Sequence, residues 1–283
     1  MPNTSHKRTT DERKAQAAAL HASIVEEVQR LTESGQWRRF LDFARSFHTY
    51  SLNNVFLILA QNPDATMVAG FRQWQTKGRQ VRKGETSIKI FGCSTRKIGD
   101  TDNDANDEEQ HIAHFFPVLS VFDISQTDPI DGIPQPENPV RNLTSDNDHG
   151  VLAPLTAHLE NRGWTIRRQA LTQANGYSDP VGRVVVLERE LRPAQAAKTL
   201  LHEAAHIHLR HTDSLKEYCQ HRGQMEVEAE SVAYIVAGLS GLDTSAYSIG
   251  YITGWADEDL SLIRETATRV LEAAQELASI TAP

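Results

Sequence analysis

Apolar residues recur at helical spacing over the first sixty positions and break into short strand-like runs after that. Leu20, Ile24, Val28 and Leu31 share one face of a helix predicted over residues 10–33. Gly35 interrupts the pattern. Further helices are predicted from Trp37 to about Phe47 and from about Leu52 to Ala60, the latter closed by the turn Gln61-Asn62-Pro63-Asp64. Phe40, Phe43 and Phe47 repeat at helical intervals and belong to a core. Residues 66–98 read as short strands, notably Ser87 to Phe91, punctuated by Gly70, Gly78, Gly84 and Gly92. An acidic stretch at 100–110 reads as a solvated tip before a returning strand at 114–124. Four prolines and few apolar residues mark 125–149 as an interdomain linker. Beyond it come a helix at 151–162 and strands Trp164–Arg168 and Arg183–Glu188. These strands flank the turn signals Asn175-Gly176 and Ser178-Asp179-Pro180. Helices at about 193–211, 223–240 and 258–279 end the chain. Strands followed by helices predict an α+β architecture in two domains, 1–125 and 150–283, joined by 126–149.

Composition adds compartment and charge. With 283 residues the chain is comfortable for two domains. No apolar run approaches the roughly 20 residues of a membrane span, so no membrane association is expected. The first twenty residues lack the central apolar stretch of a secretory signal. Cys93 and Cys219 are too few and too far apart for a disulfide framework. A cytoplasmic protein is expected, with any metal held by His and carboxylate groups. The net charge of −8 is unevenly spread. Residues 1–97 hold 16 Lys/Arg against 8 Asp/Glu; the remainder holds 13 against 29. Such a split suggests that the first half meets a polyanion.

The strongest chemical signal is His202-Glu203-Ala204-Ala205-His206. Residues four apart on a helix stack on one face, so two imidazoles can share one Zn2+ at about 2.0–2.1 Å each. Glu203, next to the first ligand, can reach water activated by the ion and take its proton as general base. A third protein ligand is required. Glu226 and Glu230 share a helical face, which suits one ligand and one carboxylate orienting a His, whereas Glu228 points elsewhere. His208 and His211 fall on other faces and read as surface imidazoles. Tyr234, Tyr247, Tyr251 and His221 are candidates for stabilising an oxyanion. The donor set also accepts Mn2+, Co2+ or Ni2+.

This half resembles the zincin-like peptidases of the ImmA/IrrE kind, in which an H-E-x-x-H helix precedes an E-x-x-A helix. The matching residues are His202, Glu203, His206 and Glu226-Val227-Glu228-Ala229. The resemblance implies Glu226 as the third ligand and leaves Glu230 to orient a histidine. Gly238-Leu239-Ser240-Gly241 stands where that family often has Leu-Leu-Met-Pro, so no peptidase specificity carries over.

The first half interleaves cations and aromatics. Arg72, Trp74, Lys77, Arg79, Arg82 and Lys83 cluster between Gly70 and Gly84, where a tight turn and flat side chains suit the phosphates and bases of a single strand. Tyr50-Ser51-Leu52-Asn53-Asn54, Gly70-Phe71-Arg72-Gln73-Trp74, Gly78 to Glu85 and Val121 to Thr127 look like the N-terminal domain of ArdC-type antirestriction proteins. That resemblance implies sequence-non-specific binding of single-stranded DNA, ahead of a zincin-like domain, in mobile-element biology. The zincin-like half leaves a protein substrate as a candidate partner. The alternatives are a regulatory metallopeptidase cleaving a protein partner, its basic half docking an acidic surface, and a DNA-binding module whose metal is purely structural.

Overall fold

The computed structural model describes residues 9–33, 35–92, 94–97, 112–115, 117–134, 147–171, 174–244 and 259–281. The acidic stretch 100–110, residues 135–146 of the proposed linker, Tyr247 and Tyr251 lie outside them. In chain order the elements are α1 (Thr10–Arg30), α2 (Gln36–Ser46), α3 (Leu52–Gln61), β1 (Val68–Gly70), α4 (Phe71–Thr76), β2 (Arg79–Val81) and β3 (Ile88–Phe91). Then follow β4 (Ser94–Lys97), β5 (Ile112–Phe115), β6 (Val118–Asp123) and β7 (Thr127–Pro129). The second half adds α5 (Leu152–Asn161), β8 (Thr165–Gln169), β9 (Gly176–Asp179), β10 (Val184–Glu188), α6 (Pro193–His208), α7 (Leu215–Leu239) and α8 (Leu260–Thr281). The fold is α+β. None of its described helices is long and apolar enough to cross a membrane.

Two compact units form, and they are not consecutive in sequence: Met1–Val25 with Phe56–Pro136, and Glu26–Val55 with Glu137–Pro283. Residues 26–55 therefore belong with the C-terminal residues. The reason is visible along α2, whose apolar stripe of Trp37, Phe40, Leu41, Phe43 and Ala44 is buried. The Trp37 indole donates to Ser231 Oγ on α7 at 2.9 Å, and Tyr234 of α7 bonds to Asp42.

The first unit holds an antiparallel sheet in the order β1-β6-β3 and a two-stranded ribbon, β2-β7. Pro117 divides the expected returning strand into β5 and β6. The helix α4 was not anticipated: its six residues are too short to show a period. It is capped by Gln73, whose Oε1 accepts from Gly70 N–H at 2.9 Å. A buried carboxylate, Asp123, ties the end of β6 to the start of β1. It accepts from the N–H groups of Thr66 (2.8 Å), Met67 (3.1 Å) and Ser125 (2.8 Å), while Gln126 accepts from its own N–H at 2.9 Å. Several of the polar positions in the sequence patterns thus pair backbone groups that burial would otherwise leave unsatisfied.

In the second unit β10 lies between β8, to which it is parallel, and β9, to which it is antiparallel. Val185, Val186 and Leu187 are all buried, as a central strand requires. The turn signals at 175–180 proved misleading, since Gly176 to Asp179 form strand β9. α7 also begins earlier than Gly223 suggested. Ser214 caps it by accepting from Glu217 N–H at 3.2 Å, and a kink at His221 joins its first turns to the rest.

Candidate metal centre

Pro193 at the first turn starts α6, and the helix carries His202 and His206 one turn apart on one face. Their Nε2 atoms lie 3.1 Å apart. Across from them, α7 brings Glu226 Oε2 to 3.5 Å from His202 Nε2 and 3.8 Å from His206 Nε2. Donors about 2.05 Å from a shared ion in tetrahedral array stand about 3.3 Å from one another. The three observed separations bracket that value, so these side chains fit a small divalent cation. Among the described residues this is the one His/Cys/Asp/Glu group that converges so.

The acids surrounding the imidazoles set their charge. Burial works against protonating His202, but hydrogen bonds with Glu226 and Glu230 push its pKa up to about 10. Those with His202 and His206 hold Glu226 far below the usual carboxylate range. A proton and a divalent cation therefore compete for the same donors. Glu230 Oε2 sits 3.0 Å from His202 Nδ1, the contact that turns the other ring nitrogen toward the donor triangle.

Glu203 is buried and stands beside the triangle rather than in it. Its Oε2 accepts from Ser178 Oγ of β9 at 2.6 Å. Both face a cleft of about 400 Å3 lined also by Gly176, Tyr177, Tyr218 and Arg222. Tyr218 donates to Glu226 Oε1, and burial together with this bond pushes its pKa up to about 12. Ser178, Tyr218 and Arg222 escaped the sequence reading. Ser178 sat in a presumed turn, and Tyr218 and Arg222 preceded or straddled the expected helix start. Of the oxyanion candidates, Tyr234 is directed at Asp42 and His221 is exposed without lining the cleft.

His211 requires correction. His211 was expected at the surface, yet it is 1% exposed, with Nδ1 3.0 Å from His206 Nδ1 and Nε2 2.9 Å from Glu228 Oε2. The helix has ended by then, so helical geometry no longer governs where His211 points. His208 does face outward enough to pair with Glu276.

The cationic turn of the first unit also departs from expectation. Trp74 is 0% exposed, packs with Ala69 and Val81, and donates through Nε1 to Phe122 O at 2.8 Å. It cannot stack on a base, because α4 turns it inward while Phe71, 45% exposed, faces solvent. Arg79 bonds to Thr127 through Oγ1 (2.6 Å) and the carbonyl (3.0 Å). Arg82 is paired with Glu85 at 3.0 Å and Asp128 at 3.4 Å. Arg72, Lys77 and Lys83 are exposed. Gly78, with φ of 74°, makes the turn between α4 and β2, where a Cβ would stand 2.5 Å from Ile133.

Fold and donor set together define an α+β protein with a metallopeptidase-like second unit. Family comparison sharpens this. Residues 14–122 match the family described as the N-terminal domain of anti-restriction factor ArdC, and residues 159–238 match the IrrE N-terminal-like domain, a peptidase family. The chain thus joins an ArdC-type N-terminal domain to an IrrE-like peptidase domain. It is 25% identical over 277 residues to an uncharacterized Bacillus anthracis protein, covering 80% of this chain and 46% of the relative. The chain spans about half the length of that curated relative. It is also similar to two crystal structures of antirestriction protein ArdC from plasmid R388. The metal-free structure has 24% identity and a TM-score of 0.49, covering 82% of this chain and 85% of that one. The Mn(II)-bound structure has 21% identity and a TM-score of 0.45, covering 82% and 89%.

Proposed function

We propose that this protein binds single-stranded DNA without sequence preference through its ArdC-type domain, and that its second unit is a metal-dependent hydrolase site of the peptidase type. The likeness of residues 14–122 to the N-terminal domain of ArdC supports an antirestriction role, protecting incoming DNA in mobile-element biology, by analogy. The convergence of His202, His206 and Glu226 on one point, beside an acid that is not part of the triangle, carries the enzymatic half of this reading. Those three side chains would hold Zn2+ or a similar ion such as Mn2+. A cation held there supplies Lewis-acid polarisation of a carbonyl and acidifies water.

The protein's own groups do the rest. Ser178 holds one oxygen of Glu203, and the other would accept a proton and return it to a leaving amine. Glu230 keeps His202 in the orientation that presents Nε2 to the triangle. β9 is an outer strand of its sheet and lines the cleft, so an extended peptide could add to that edge, which favours a protein substrate. Three donors and an open cleft favour catalysis over the purely structural alternative, where four protein ligands close the coordination sphere. On the DNA side, Arg72, Lys77 and Lys83 supply exposed charge and Phe71 an exposed ring.

Glu203→Gln tests the hydrolase. It should retain metal while losing cleavage of a peptide library; retained cleavage would remove Glu203 as the base. Titration of labelled single-stranded oligonucleotide against salt tests the other half. Affinity falling steeply with salt and equal across sequences is expected. Absence of binding at low salt would favour docking of an acidic protein partner.

A further inference from the structure

Each histidine of the donor triangle meets a different partner behind it. His202 Nδ1 faces the Glu230 carboxylate directly. His206 Nδ1 faces another imidazole nitrogen, Nδ1 of His211, at 3.0 Å. Two such nitrogens can bond only if one carries hydrogen and the other a lone pair. His206 Nε2 lies in the triangle, where a ligand needs its lone pair, so the hydrogen of the neutral ring sits on Nδ1. His211 Nδ1 must then accept, which puts the His211 hydrogen on Nε2. That atom points at Glu228 Oε2, 2.9 Å away. The chain of bonds has one direction and ends on a carboxylate.

The end of the chain is fully engaged. Glu228 is 0% exposed, and its Oε1 accepts from Gln224 Nε2 at 3.0 Å and Thr266 Oγ1 at 3.1 Å. Arg269 Nη2 stands 3.3 Å from Oε2 and donates to Leu209 O at 3.1 Å. It is also 3.3 Å from His211 Nε2, a contact between two donors that forms no bond in this arrangement. Burial alone would raise the Glu228 pKa, but His211 and the Arg269 charge keep it below the usual range.

The backbone is bent to deliver His211. After α6 the Arg210 N–H bonds to Ile207 O at 3.2 Å and the His211 N–H to His206 O at 2.9 Å, a Schellman turn. Arg210 holds φ of 60°, the left-handed conformation that a side chain disfavours by about 1–2 kcal/mol. Gly163 and Gly241 occupy the same position after α5 and α7. Replacing a buried ion pair by apolar groups is often neutral or stabilising, so fold stability alone does not account for a charged chain held here.

We propose that Glu228 and His211 are positioning residues for the metal centre, setting the tautomer and aim of His206 through a directed hydrogen-bond chain. The proposal rests on the metal-centre reading above. Three of the glutamates of α7 then have separate tasks: Glu226 as ligand, Glu230 behind His202, and Glu228 behind His206 at one remove.

Zn2+ titration of the full chain and its variants tests this. Glu228→Gln, nearly isosteric, should lower Zn2+ affinity about 10- to 100-fold with thermal stability little changed. Wild-type affinity in a folded Glu228→Gln protein overturns the proposal. If that variant fails to fold, 15N imidazole spectra of the Zn2+-loaded wild type decide. Hydrogen on His206 Nδ1 and on His211 Nε2 supports the chain; hydrogen on His211 Nδ1 overturns it. Glu226→Ala separates the two levels. Loss of Zn2+ there with none in Glu228→Gln removes only the positioning role. Unimpaired binding in Glu226→Ala, or no binding by the wild type, removes the metal centre and the proposal with it.

Discussion

The metal centre and the cationic turn are both crowded with charge, and they use it in opposite ways. Around His202 and His206 the acids and imidazoles converge, and three donor atoms are left aimed at one point beside a cleft. At the start of β2 and just past its end, Arg79 and Arg82 are each engaged by groups on β7 or its approach. Trp74 is the keystone of a small core instead of a platform. The lesson concerns what charge density means. A cluster becomes a site when its bonds leave capacity directed outward, and becomes scaffold when its members satisfy one another.

The largest expected effect bears on Trp74. Trp74→Ala should destabilise the first unit by about 3–5 kcal/mol in denaturant titration, as large aromatic truncations in cores do. Loss of oligonucleotide affinity in a protein of unchanged stability would return Trp74 to the binding surface. Next, Glu226→Ala should weaken metal binding by more than about 100-fold, exceeding the effect of removing an orienting partner. Metal analysis after dialysis measures it, and full retention of metal would dissolve the contrast between the two regions. Third, the triple change Arg72→Ala, Lys77→Ala and Lys83→Ala should weaken single-stranded binding alike across sequences. The salt slope should fall by about 2, at about 0.7 per phosphate contact. Arg79→Ala should instead act chiefly on stability, by about 1–3 kcal/mol for bonds from a charged donor. The smallest effect concerns the turn after α6. Arg210→Gly should stabilise by about 1 kcal/mol, since glycine adopts positive φ without steric cost. Lowered melting temperature would mean that the Arg210 side chain contributes more than its backbone costs.

Much of the fold was legible because its signals are local. The periods of α1, α2, α3 and α6 appear in a few turns of sequence, and their ends lie within a few residues of expectation. Three elements were not legible: α4, β9 and β7, the last lying in the stretch read as a linker. α4 is shorter than two turns, and β9 carries the Gly, Ser and Asp residues of a turn. What makes β9 a strand is its pairing with β10, a partner several residues away whose edge needs its backbone bonds satisfied.

Sequence alone determined that His202 and His206 share a face with Glu203 next to the first, because helical geometry relates residues four apart whatever surrounds them. It likewise determined that Glu226 and Glu230 stand together. Tertiary structure decided which acid faces which imidazole, that Ser178 and Tyr218 close around the site, and that Trp74 turns inward. It also decided that His211, past the end of α6, folds back beneath His206 to meet Glu228. Those arrangements join residues 5 to 48 positions apart, and no local periodicity encodes them. They arise because buried polar groups must find partners, and only packing determines which partners lie within reach.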